Sequence, residues 1–148
     1  SLLKSIGAEF NVHFHFVYSS DKEGEVAEQL ALAFSGQSRA IGGFSIPIWQ
    51  HIMARCRGVI CVDSAALHLA SLARVKTFAF FGPSSAAVYN PAAPGLERVH
   101  DFYMGACPYG ESFNKRCRYL RSCETGACLS DLDLERAYQS LKRWLHPN

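Results

Sequence analysis

Val62-Asp63-Ser64-Ala65-Ala66-Leu67-His68-Leu69-Ala70 and, shortly after it, Val75-Lys76-Thr77-Phe78-Ala79-Phe80-Phe81-Gly82-Pro83-Ser84 decide how the chain is read. The apolar run from Gly58 to Val62 reads as a strand that delivers an acid and a hydroxyl to a helix start, with the helix running from Ser64 to Ala73. His68 falls on the second turn of that helix, and a second apolar strand, Thr77 to Phe81, ends in a Gly-Pro-Ser turn. Strands joined through a helix run parallel, so their carboxyl ends share one side of the sheet. The connecting helix aims its first free N–H groups and its positive dipole end into the crevice there, which suits a phosphorylated ligand.

The same alternation extends in both directions. Val12 to Tyr18 has the pattern of a buried strand ended by Ser19-Ser20-Asp21, and Glu23 to Phe34 sets Val26, Ala27, Leu30, Ala33 and Phe34 at helical spacing before Gly36 stops the run. Ser45 reads as an N-cap, with Pro47 in the first turn and Ile48, Trp49, Ile52, Met53 and Cys56 on one face. Near the end, Ser130 and Asp133 read as a capping box before an apolar stripe of Leu134, Ala137, Tyr138, Leu141, Trp144 and Leu145. Alternating strands and helices predict an α/β fold, a Rossmann-like parallel sheet with right-handed crossovers and flanking helices. Residues 82–128 interrupt that rhythm with prolines and cysteines, and 103–130 read as a Cys-rich loop.

At 148 residues the chain is a single domain by length, residues 1–148, with 49% apolar and 19% charged residues arguing against disorder. Fifteen Lys and Arg against thirteen Asp and Glu make no case for a nucleic-acid partner. No apolar run is long enough to cross a bilayer and no secretory leader follows Ser1, so a cytoplasmic location is expected. Ser1-Leu2-Leu3-Lys4-Ser5-Ile6-Gly7 reads as the tail of a helix closing at Gly7. The chain is therefore expected to be a fragment that lacks its first strand.

Three loops, Ser19-Ser20-Asp21, Asp63-Ser64-Ala65 and Gly82-Pro83-Ser84-Ser85, follow strand carboxyl ends and are expected to converge on one ligand. Asp63 suits sugar hydroxyls, while the amides of Ser64, Ala65 and Ala66 suit an anion; alternatively, Asp63 or Ser64 merely caps the helix. His68 lies one turn beyond Ser64 on the same face and can serve the ligand, or stand as a core histidine bonded to a carbonyl. A serine-hydrolase reading of Asp63, Ser64 and His68 fails for want of a Gly-x-Ser-x-Gly elbow. Glu23 and Glu25 open a helix, where acids commonly serve the dipole.

The Asp63-Ser64-x-x-x-His68-Leu69-Ala70 segment, the strand ending Phe81-Gly82-Pro83-Ser84, the later Pro91, and a Cys-rich stretch leading to Cys128-Leu129 and a last helix resemble glycosyltransferase family 9, the bacterial lipopolysaccharide heptosyltransferases. The likeness runs from about Val12 to the end and is to the C-terminal, donor-binding half of a GT-B fold. It implies an inverting transfer of heptose from a nucleotide sugar such as ADP-heptose to a lipid-linked glycan acceptor, with no cofactor required for transfer. It also implies a cytoplasmic enzyme, peripheral on the inner membrane as a full-length protein. By position, Asp63 would hold heptose hydroxyls, Ser64, Ala65 and the following amides the diphosphate, and His68 that site. Glu23, or as the second choice Glu25, would hold the adenosine ribose, while Ser19, Gly82 and Ser84 would line the crevice. No catalytic residue is expected in this chain, because the resemblance places the base in an N-terminal acceptor domain. It likewise assigns a Lys beside the departing diphosphate to a segment that this chain lacks. Family members usually have Gly where this chain has Ala65, a methyl that crowds a phosphate.

Cys107, Cys117, Cys123 and Cys128, with nine, five and four residues between them, could close a structural zinc or iron site; disulfides and free thiols are the alternatives. The rival to a donor-binding enzyme part is thus a non-catalytic Rossmann-like module organised by such a metal.

Overall fold

The structure is a computed structural model and describes residues 2–91, 100–104 and 114–146. Two compact units divide the chain, Ser1–Trp49 and Gln50–Asn148. In the first, α1 (Leu2–Glu9), β1 (Phe14–Tyr18), α2 (Asp21–Ala33) and β2 (Ser38–Gly42) follow one another, and α3 (Ile46–Met53) begins. The second holds β3 (Val59–Val62), α4 (Ala65–Leu72), β4 (Thr77–Phe81), α5 (Ala86–Tyr89), β5 (His100–Met104), α6 (Ala127–Ser130) and α7 (Leu134–Leu145). All described strand pairings are parallel, but in two sheets rather than one: β1 with β2, and β3-β4-β5 with β4 central.

In the first unit β1 and β2 pair from Phe14↔Ser38 to Tyr18↔Gly42. Sequence reasoning passes over β2, because Ser38-Arg39-Ala40-Ile41-Gly42 has neither alternation nor a β-branched run to announce a strand. The expected apolar stripe of α2 also differs. Its buried positions are Gly24 and Ala27, while Val26 and Leu30 of the expected stripe are 56% and 36% exposed. The cause is Tyr18: its ring lies where a side chain on Gly24 would be, 3.2 Å from an ideal Cβ, so α2 meets β1 through its smallest residues. Gly7 sits inside α1 rather than at its end, with φ outside the left-handed region, and a Cβ there would touch the Phe14 ring at 3.4 Å. Gly36, with φ of 85°, does supply the left-handed turn beyond α2.

In the second unit the uninterrupted apolar run of β4 is explained by cover on both faces. Phe78 meets Trp144 of α7 edge-on at 5.7 Å, while Ala79 and Phe81 pack with Leu67 of α4 and Ala86 of α5. The buried Thr77 hydroxyl is satisfied by donating to the Val75 carbonyl at 2.9 Å. Cys61 of β3 lies opposite Ala79 and joins that cluster, whereas Ile60 and Val62 alternate to the other face, 36% and 47% exposed. β5 extends the sheet beside β4 from Thr77↔His100 to Phe81↔Met104, in a stretch read from sequence as irregular. The last helix buries Ala137, Leu141 and Trp144 from the expected stripe, with Leu134 56% exposed. Its cap is Asp133 itself, accepting from the Arg136 amide at 3.0 Å, and Ser130 belongs to α6, so the expected capping box is not formed. Among the described residues, no helix is long and apolar enough to cross a membrane.

Candidate functional site

The tips of β3 and β4 build the site in the second unit. Asp63 carries the ladder one residue past β3, its amide donating to the Phe80 carbonyl at 3.2 Å, and so its carboxylate projects from the strand's carboxyl end. One residue beyond the β4 glycine turn, Pro83 is followed by Ser84, whose hydroxyl donates to Asp63 Oδ2. Ser84 is only 6% exposed, so this bond satisfies a hydroxyl that would otherwise be buried without an acceptor. A cavity of about 310 Å³ opens there, with Asp63, Gly82, Ser84, Arg116 and Leu129 among its walls. That volume is at the low end of small-molecule sites, enough for one sugar-sized part of a larger ligand.

Gly82 is a packing requirement as well as a turn. An ideal Cβ there would lie 2.6 Å from Leu129 Cγ and 3.1 Å from Cys128 Sγ, so α6 closes over the strand tip only because the side chain is missing. Gly82→Ala is expected to cost about 1–3 kcal/mol by overpacking. Urea unfolding measures it, and an unchanged midpoint would show that Leu129 does not seat there.

A further wall comes from the segment at 115–117. The Ser85 amide donates to the Lys115 carbonyl at 2.8 Å and the Cys117 amide to the Pro83 carbonyl at 2.7 Å, giving an antiparallel bridge between Ser84 and Arg116. Sequence reasoning does not find Arg116. No periodicity marks a bridge between distant segments, and the only available signal was the cationic run Lys115-Arg116-Cys117-Arg118.

Ser64 stands at the N-cap of α4 with extended backbone and makes no side-chain capping bond, and Asp63 takes its bond from Ser84. Neither side chain therefore caps the helix in this structure. Ala65 opens α4 and is exposed. His68 is exposed on α4 and so is not a core histidine; it is not among the cavity's walls.

Ser19 and Glu23 belong to the first unit. Glu23 Oε2 accepts from the Ser19 amide at 2.9 Å, the Ser19 hydroxyl at 2.7 Å and the Ser20 amide at 3.2 Å, while the Glu23 amide donates to Ser20 Oγ at 3.4 Å. This is a complete capping box on α2, legible in the sequence as Ser20-x-x-Glu23. The Ser19 amide, followed by the Ser19 hydroxyl, holds the Glu23 carboxyl below the usual carboxylate range.

Of the four clustered cysteines, Cys107 lies outside the described residues. Cys117 and Cys123 are free thiols, and among the described residues no three His, Cys, Asp or Glu gather to hold a metal. Cys123 Sγ accepts from the Gly126 amide at 3.4 Å, which lowers its pKa by favouring the thiolate. Burial, reinforced by the charge of Asp63, pushes Cys61 up to about 12. At about pH 8, Cys123 is expected to be alkylated by iodoacetamide well before Cys61, because the thiolate is the nucleophile. Peptide mapping over time checks the order, and equal rates would contradict it.

A family model, glycosyltransferase family 9 (heptosyltransferase), matches residues 3–117. That span contains both strand tips and ends just past the Ser84–Arg116 bridge. No curated protein and no solved structure matches the chain.

Proposed function

The chain belongs to glycosyltransferase family 9, and from that premise we propose that it forms the donor-binding part of an inverting GT-B enzyme. Such an enzyme moves a heptose, or a similar sugar, from ADP-heptose to a lipopolysaccharide or other surface-glycan acceptor. The observation that carries this reading is the Asp63 carboxylate at a strand tip, bordering a sugar-sized cavity and bonded by Ser84. A carboxylate accepts from two vicinal hydroxyls at once, the pattern that a sugar presents and a bare phosphate does not.

In this reading Asp63 receives sugar hydroxyls beside the Ser84 hydroxyl from which it already accepts. The first free amides of α4, from Ser64 and Ala65 onward, favour the adjoining phosphate. The acceptor and the base that activates it come from a partner domain, and transfer at the cytoplasmic face of the inner membrane follows from the acceptor's lipid anchor.

Calorimetric titration of the chain with ADP, UDP and ADP-heptose tests the proposal. ADP-heptose is expected to bind most tightly and UDP least. Failure to bind any of the three would overturn it. A stoichiometric metal in protein purified without chelator, beside that failure, would mark the chain as a non-catalytic module.

A further inference from the structure

The cavity at the strand tips carries two opposite charges that do not pair with each other. Asp63 takes its hydrogen bond from Ser84, not from Arg116, although both residues border the same space. Arg116 is held on that wall by two means. Its backbone is bridged to Ser84, flanked by the Ser85–Lys115 and Cys117–Pro83 bonds. Its guanidinium lies over the Tyr89 ring, 5.0 Å from the centroid, and Tyr89 packs against the Leu67, Ala79, Phe81 and Ala86 cluster. A stacked, bridged arginine has lost much of its rotamer freedom before any ligand arrives, so less is lost on binding. Its cationic neighbours Lys115, Arg118 and Arg121 are not among the cavity's walls.

We propose that Arg116 binds the phosphoryl group joined to the sugar that Asp63 holds, so that this cavity recognises a sugar phosphate at the junction of its two parts. The assignment rests on the donor-binding reading above and adds a residue to it. A neutral sugar would leave the guanidinium without a partner, and a bare phosphate would meet the Asp63 carboxylate. A ligand with hydroxyls at one end and anionic oxygens at the other satisfies both walls. Arginine suits the anionic end because its planar fork donates to two oxygens of one phosphate.

The test compares ADP with adenosine on the wild-type chain and on Arg116→Ala, Arg116→Lys and Arg121→Ala, the last removing one charge from the same segment away from the cavity. Arg116→Ala is expected to weaken ADP about 10- to 100-fold, the loss of a hydrogen bond to a charged group, while adenosine is unchanged. Arg116→Lys keeps the charge but not the fork, and is expected to fall between. Arg121→Ala should match wild type, beyond a small effect that salt removes. Equal weakening of ADP and adenosine by Arg116→Ala, or equal losses from Arg116→Ala and Arg121→Ala, would overturn the assignment while leaving the donor-binding reading standing. If the wild-type chain binds neither ligand, that reading fails and this assignment fails with it.

Discussion

Asp63→Ala should remove the preference for ADP-heptose over ADP, lowering affinity for the sugar-bearing nucleotide by about 10- to 100-fold and leaving ADP itself nearly unaffected. The argument is local. Asp63 is the carboxylate at the β3 tip, and its partner is the Ser84 hydroxyl. Removing it deletes the acceptor that sugar hydroxyls would use, and leaves the buried Ser84 hydroxyl without its acceptor. Asp63→Asn retains a carbonyl oxygen for Ser84 but loses the charge, so it should restore folding stability while recovering only part of the sugar discrimination. Paired titrations and thermal melts separate the two effects. A variant that keeps full discrimination would remove Asp63 from the sugar site.

Trp144→Ala should be the most destabilising single change in the second unit, about 3–5 kcal/mol. Trp144 is 4% exposed and meets Phe78 edge-on, and the Lys76 ammonium stands 4.9 Å from its ring centroid. Its far edge fills the space above Gly58, where an ideal Cβ would lie 2.6 Å from Trp144 Cη2. A small domain is stable by only about 5–15 kcal/mol, so a loss of this size leaves much of the population unfolded on warming. Trp144→Phe is expected to recover most of the loss, because the buried indole N–H has no partner among the described residues and the ring, not the nitrogen, supplies the packing. A Phe variant as unstable as the Ala variant would show that the indole nitrogen matters after all.

The strand-helix-strand unit from Val59 to Phe81 was legible because each period is strong. A continuous apolar strand buried on both faces stands out from any other segment, and β4 coincides with the sequence expectation, Thr77 to Phe81. The helix after Asp63 was legible for the same reason, its apolar positions Leu67 and Ala70 being those the structure buries. Elements held by partners rather than by their own pattern were not legible. β2 and β5 are strands by virtue of the neighbours they pair with. The buried face of α2 was misjudged because the Tyr18 ring selects Gly24 over larger neighbours, a choice that no single-segment periodicity records. Ser20-x-x-Glu23 is readable as a capping box, whereas the sequence reading gives Glu23 to the helix dipole or, through the resemblance, to a ribose; the structure shows a carboxylate engaged with Ser19 and Ser20.

The local order of the residues by itself determined that this protein alternates strands with helices, that its described strands run parallel, and that an acid and a serine stand at neighbouring strand tips. Those features follow from short-range periodicity and from the single direction that a helical crossover allows. Only the tertiary structure decided that Ser84 turns its hydroxyl to Asp63, that Gly82 is kept small by Leu129, and that Arg116 forms the cavity's cationic wall. These depend on contacts between segments far apart in the chain, and a pattern read along one segment contains no term for what folds against it.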